Sequence, residues 1–541
     1  MIYNMVLAMP FPKKYDPSDS QDILRYAKWL IGKSFYEVLA TDFSEAASKP
    51  VDGFSNDTQR NNILEDATVE YGNLQRKGGL GNLIEKHFFH YDPNSNPEAD
   101  FSLAGLELKV TPYEERTGRG KDKGITYYVA GERLVLTMID FNQRPIEFDF
   151  FKSHVWEKCR QILLIYYLRN KSLGDNLKYR INYVGIFTPK DTDLIIIRQD
   201  YLLIMEKISK GKAHEISESD TMYLGACTKG STAARSIVIQ IENNVPAQKR
   251  AFCFKTSYMT TVLNENFINA QENQEVVVSD DNLLASLGFE GYLQSKVSQY
   301  VGKSDRELCK ILNLEYSGNK AQWINIAFAI LGIKSNKAEE FQKANIVVKA
   351  TRIEENGSIR ENTSFPPFKF MDLVNEKWID SDEEDDDAYS YENHPNGFKP
   401  SKLQEYFAST KFLFVVFKKQ GPDYILKGCQ LWNMPYNDLN VTVREGWERI
   451  RDTIISGVIF DIKPAKNGEG KQRIKNNLPK KNANPIIHIR PHAQKAYYKF
   501  DGYEEGNPSD GNLLPDGRWM TTQCFWLNNT YVKSILRDDL K

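Results

Sequence analysis

The chain has 541 residues, 41% of them apolar, and a formal net charge of −2. That length and apolar content allow more than one core, and no apolar run, IAFAILGI and FLFVVF included, approaches the roughly 20 residues of a membrane span. Six cysteines (Cys159, Cys227, Cys253, Cys309, Cys429 and Cys524) stand far apart without a CxxC pair, which argues against a zinc site and predicts reduced thiols in a cytoplasmic setting. The N-terminal MIYNMVLAMPFPKK has no basic leader ahead of its short apolar run, so secretion is not expected.

In chain order, SDSQDILRYAKWLIGKSFYEVL predicts amphipathic helices with Ile23, Leu24, Ala27, Leu30 and Ile31 on one face. KGGLGNLIEKHFF predicts a further helix, in which Glu85 sits among Leu83, Ile84 and Phe88. PEADFSLAGLELKVTPY then predicts a strand whose Leu106, Leu108 and Val110 point one way, leaving Glu107 and Lys109 on the other face. KGITYYVAGERLVLTMID and RPIEFDFF read as more strand, and SHVWEKCRQILLIYYL as a helix running into a strand, with Lys158 beside the core segment. His87 and His90 are read as packing or surface histidines one helical turn apart, since two imidazoles without a third ligand make a weak metal site.

The same order of elements recurs after a join near Asn264–Asn282. NKAQWINIAFAILGI, EEFQKANIVVKATRI, LQEYFASTKFLFVVF and FWLNNTYVKSIL follow the spacing of the first-half segments, and the last aligns with FCFKTSYMTTVL without a gap. The expectation is an α/β fold class with two tandem lobes, each a mixed sheet flanked by helices. Their bounds are 1–268 and 284–541, with 269–283 as linker. Ser304 and Glu307 form a candidate capping box in the second lobe.

Asp100, Glu107 and Lys109 have the form D-x6-E-x-K. Two carboxylates and a backbone carbonyl suit Mg²⁺, which lowers the pKa of a bound water, while a neighbouring lysine orients or deprotonates that water. Glu85 and Lys158 add a carboxylate and an ammonium to the group. Charge is also uneven along the chain: DSDEEDDD, 380–387, carries seven negative charges, leaving about +5 elsewhere, and seven Lys or Arg stand against one Glu in 463–481. ERTGRGKDKG follows the motif strand as a smaller basic loop. No Walker loop or GxGxxG is present, so no nucleotide cofactor is expected.

KGGLGNLIEKHFF, PEADFSLAGLELKVTP and SHVWEKCRQILLI together resemble the MutH-type endonucleases, most closely the two-lobed restriction enzymes that cut at GATC. The resemblance implies a restriction-endonuclease-like fold and a Mg²⁺-dependent phosphodiesterase. By position it makes Glu85, Asp100, Glu107, Lys109 and Lys158 the catalytic set, with Asp100, Glu107 and Glu85 as metal ligands. It also places Lys229, in MYLGACTKGST, in the base-reading loop, where an amine can bond guanine O6 and N7. IIHIRPHAQK is the matching stretch of the second lobe and offers Arg490 and His492 to DNA. There Ala327, Glu340, Val347, Lys349 and Ala408 stand against the five catalytic positions, so that lobe is expected to bind DNA as an allosteric effector without cleaving it.

The expected function is a type II restriction endonuclease cutting double-stranded DNA 5′ of the G in GATC, with no membrane partner. With one live site per chain, cutting both strands requires dimerisation on DNA or two successive visits. The alternatives are a MutH-like mismatch-repair nickase and a DNA-binding regulator that does not cleave.

Overall fold

Asp19 opens the first helix, accepting the Gln21 N–H, and α1 (Ser20–Ala27) buries Ile23 and Ala27 completely. The apolar face ends earlier than its periodicity suggests. Beyond Ala27 the chain tightens into a 3-10 turn and reverses at Gly32, φ 83°, so Leu30 stays buried while Ile31 turns out, 48% exposed. The computed structural model describes residues 15–46, 69–72, 78–93, 98–118, 124–229, 236–268, 275–379, 399–464 and 472–541. The acidic run 380–387, residues 465–471 and 119–123 of the two basic loops, 230–232 after Lys229 and 269–274 of the expected linker lie outside them.

Two compact units result. One takes in Met1–Gln274 together with Gln342–Ala344, and the other Glu275–Phe341 and the described residues from Asn345 onward. In the first, α1 is followed by α2 (Phe35–Ala46), α3 (Gly79–His87), β1 (Glu107–Thr117), β2 (Thr126–Ala130), β3 (Leu134–Ile139), α4 (His154–Cys159), β4 (Ile162–Leu168), β5 (Arg180–Phe187), α5 (Asp191–Ser209), β6 (Leu224–Thr228), β7 (Ile237–Ile239), β8 (Pro246–Gln248), β9 (Arg250–Phe254) and α6 (Thr256–Leu263). One mixed sheet has the order β2-β1-β4-β5, with β1 and β4 parallel, and a second, antiparallel sheet has the order β3-β9-β6. Leu83 and Ile84 of α3 pack with Ile23, Leu30, Leu106 and Leu163 in one core, each such side chain contributing roughly 1.5–3 kcal/mol by leaving water. RPIEFDFF forms no strand. Pro145 has no N–H to give a ladder, Phe148 is 43% exposed, and Asp149 caps a 3-10 turn at Phe150–Lys152.

The second unit repeats this plan with α7 (Asp281–Ser298), α8 (Asp305–Ile311), α9 (Gln322–Leu331), β10 (Ile346–Ile353), β11 (Thr363–Phe368), α10 (Lys402–Ser409), β12 (Lys411–Gln420), β13 (Asp423–Asn433), α11 (Arg444–Ile455), β14 (Ile487–Pro491), β15 (Gln523–Leu527) and α12 (Asn529–Ile535). Its sheet β10-β12-β13, with β10 and β12 parallel, repeats β1-β4-β5, and β11-β15-β14 repeats β3-β9-β6. Ser304 and Glu307 cap α8 reciprocally, at 3.2 and 2.8 Å. Residues 275–283, read from sequence as linker, are packed into this unit: Val277 is fully buried, and its N–H and that of Val278 reach the Glu340 carboxylate at 2.9 and 2.8 Å. Among the described residues no helix is long and apolar enough to cross a membrane, and all six cysteines are free and buried.

Candidate active site

The spacing between Asp100 and Glu107 is a local fold. Phe101 and Leu106 pair across the turn between them, Phe101 N–H to Leu106 O at 2.9 Å and the reverse bond at 3.2 Å. Gly105 closes the turn at φ 63°, where a side chain would strike the Arg160 guanidinium. Asp100 therefore lies against the start of β1: its N–H donates to Glu107 Oε2 at 3.3 Å, and its Oδ2 accepts the Leu108 N–H at 2.8 Å. Leu106, Leu108 and Val110 pack into the core, as the alternation predicts.

Lys158 arrives from α4, which Ser153 caps through the Trp156 N–H. Parallel pairing sets Glu107 opposite Ile162 and so brings the end of this short helix to the start of β1. Lys158 Nζ donates to Glu107 Oε2 at 2.9 Å and lies 3.9 Å from Asp100 Oδ1, while Lys109 Nζ donates to Glu107 Oε1 at 2.7 Å. Glu107 is 1% exposed and holds one ammonium on each oxygen. The two lysines differ in access: the Lys109 side chain is 24% exposed and that of Lys158 9%.

Glu85, half-buried on α3, feels all four of these groups. Its carboxyl is pushed up to about 7, by burial first and then by the negative charge of Asp100 and Glu107, against the pull of Lys109 and Lys158. Burial likewise raises Glu107, with Lys109 opposing. Among the described residues no three carboxylate, imidazole or thiol groups are gathered tightly enough to hold a metal as they stand, and ammonium groups occupy both oxygens of Glu107. The donor set still fits a hard divalent cation: Asp100, Glu107 and Glu85 supply oxygens only, and burial raises the pKa of both glutamates, a cost that a cation relieves. His87 is buried and bonded through Nδ1 to Asp42 at 2.8 Å. His90 lies past the end of α3 at φ 59°, not one turn further along it.

Lys229 stands apart from this cluster, one residue beyond β6 in the other sheet, half-buried, with its N–H on Lys249 O at 2.8 Å. The sequence reading missed Asp200, which holds β6 in place: this buried carboxylate on α5 accepts the N–H groups of Met222, Tyr223 and Leu224 at 2.7, 2.7 and 2.9 Å. Its signal is an acid at i+4 from Ile196 and i−4 from Ile204, on the apolar stripe of a helix.

In the second unit Val347 pairs with Phe412 as Glu107 does with Ile162, which puts Val347, Lys349 and Ala408 at the places of Glu107, Lys109 and Lys158. Glu340, against Asp100, is committed to the Val277 and Val278 amides, and Ala327, against Glu85, is fully buried. His492 takes the place of Lys229, since its N–H bonds Thr522 O just ahead of β15 as that of Lys229 bonds Lys249 O just ahead of β9. Arg490 is exposed, its guanidinium 5.4 Å from the Trp526 ring centre, and the His492 ring meets the same indole edge-on.

Comparison with known proteins places the chain in a family. Residues 89–200 match the family model described as "DNA mismatch repair enzyme MutH". The MutH mismatch repair protein of Shewanella woodyi is 28% identical over 36% of this chain and 80% of its own, and that of Vibrio parahaemolyticus 26% identical over 37% and 83%. The type II restriction enzyme Sau3AI of Staphylococcus aureus is 32% identical over 484 residues, 86% of this chain and 93% of its own. With that identity spread over both units, the chain belongs to the type II restriction enzyme family of Sau3AI, within the MutH-type endonucleases.

Proposed function

We propose that the chain is a Mg²⁺-dependent restriction endonuclease that hydrolyses both strands of duplex DNA at GATC, 5′ of the G. The observation that supports this best is Glu107, buried between two ammonium groups with Asp100 folded onto it and Glu85 coupled to both. Asp100, Glu107 and Glu85 would hold the Mg²⁺, which when bound lowers the pKa of a water and neutralises charge on phosphorus. Lys109, the more open of the two lysines, orients the attacking water and stabilises the anion that forms as its oxygen bonds phosphorus and the P–O3′ bond breaks. Lys158 acts through Glu107: buried beside it, this lysine holds the carboxylate ionised and in place. Lys229 reads guanine from the end of β6. Plasmid incubated with Mg²⁺ tests the reading: linear fragments ending at GATC are expected, nicked circles would indicate a MutH-like nickase, and unchanged plasmid a binding protein.

The second unit, with Val347 and Ala408 where Glu107 and Lys158 stand in the first, binds DNA as an effector through Arg490 and His492 in this reading. Cleavage of a one-site plasmid is expected to rise when an uncleavable GATC oligonucleotide is added, and the rise to vanish in Arg490→Ala. Simple competition at every oligonucleotide concentration would argue for a clamp instead.

A further inference from the structure

The loss of acids from the second unit leaves a lysine without its carboxylate. Lys349, at the place of Lys109, pairs with no Asp or Glu among the described residues, and its ammonium lies 5.9 Å from the Phe365 ring centre. It lines a cavity of about 430 Å³ together with Lys320, Trp323, Arg352, Asn362 and Ser364. Glu361, also in the wall, is shared by Lys320 at 3.2 Å and Arg352 at 2.8 Å, so one carboxylate serves two cations and leaves Lys349 uncompensated. The Arg352 guanidinium is stacked 4.0 Å from the Trp323 ring centre, which holds it against the wall. Trp323 is itself 4% exposed, and its indole N–H has no partner among the described residues. The start of α9 forms one side of the cavity, with the Ala321 and Gln322 N–H groups held by Asn319 Oδ1 and O at 2.9 and 3.1 Å. Excess positive charge, with one lysine lacking a carboxylate partner, favours an anion in this cavity.

We infer that this cavity is a metal-independent seat for a phosphodiester group of effector DNA, with Lys349 as its central contact. In the first unit the matching carboxylates repel a phosphate unless a cation intervenes; here Val347 replaces Glu107 and Glu340 is occupied by backbone amides, so the lysine meets the phosphate directly. The inference rests on the reading of the second unit as a DNA-binding lobe. It goes beyond that reading in placing a backbone contact in the former catalytic pocket, away from the Arg490 strand.

Full-length protein in EDTA, which prevents cleavage, is titrated with a GATC duplex. The number of duplexes per chain is read by native mass spectrometry, and acetylation of Lys349 by peptide mass spectrometry. Two duplexes per chain are expected, the second protecting Lys349 while inorganic phosphate alone does not. Lys349→Met should weaken the second duplex about 10-fold and lower its salt slope by about one. Protection by inorganic phosphate but not by duplex would overturn the DNA assignment in favour of a free anion. Two duplexes with Lys349 unprotected and Lys349→Met unchanged would overturn the seat and leave the DNA-binding lobe standing; a single duplex would remove both. The footprint on the parental chain does not depend on how the variant folds.

Discussion

In the proposed site Glu107 serves stability and chemistry with the same two oxygens, and its two lysines divide those roles by depth. Removing Glu107 leaves the Lys158 ammonium buried without its closest partner, so Glu107→Ala should abolish cleavage and destabilise the first unit by about 3–5 kcal/mol. Lys109→Ala should abolish cleavage at a cost of no more than about 1 kcal/mol, because that lysine is part-exposed. The double substitution Glu107→Met/Lys158→Met should recover stability and no activity; urea unfolding alongside a plasmid assay separates these outcomes. Glu85 carries a pH signature. Its carboxyl is raised from 4.5 to about 7, so between those values the folded chain holds a proton that the unfolded chain has released, and this contribution to stability is lost as pH rises through 7. Without metal, Glu85→Gln should therefore be more stable than the parent above pH 7 and indistinguishable from it below about 4.5, as read by thermal unfolding across pH.

At the scale of elements, the candidate active site is a turn, a strand and a short helix, and the proposed base-reading site is a strand end held from behind. Lys229→Ala should weaken binding to a GATC duplex by about 1–3 kcal/mol and to unrelated duplex much less. Equal losses on both would make Lys229 a phosphate contact. Asp200→Ala should release the Met222, Tyr223 and Leu224 amides into faster hydrogen exchange and leave the amides of α3 and β1 protected. The D-x6-E spacing could be read in sequence because the turn from Phe101 to Leu106 is closed by its own backbone and by Gly105. RPIEFDFF was open to misreading for the converse reason: its alternating apolar residues suit a strand, but a strand also needs a neighbour, and Pro145 and the Asp149 cap favour a turn.

Across the whole molecule, two copies of one plan carry different pH liabilities. His488, the second residue of β14, is 2% exposed; Nδ1 meets Asn528 Oδ1 at 2.6 Å, and Nε2 has no partner among the described residues. Burial lowers its pKa to about 4, so between 6.5 and 4 the unfolded chain binds the proton that the folded chain refuses. Stability from this group is full above 6.5 and is lost as pH falls toward 4, by at most about 3 kcal/mol. Hydrogen exchange at pH 7 and pH 5 should show β14 and β15 opening first on acidification, and His488→Gln should flatten that difference.

The amino-acid sequence by itself determined the candidate catalytic set, the repeated order of elements and the replaced positions of the second copy. Each of these is written in residue type and spacing along one segment, and short-range turns and strand alternation carry such spacing into space unchanged. Only the tertiary structure decided the rest. It set both lysines on one carboxylate, raised Glu85 by burial and by groups on other elements, and placed Asp200 behind β6. It also put His492, and not Arg490, at the place of Lys229, and left Lys349 facing a cavity with no acid to pair it. These depend on strand register and on desolvation, which arise when segments far apart in the chain pack together.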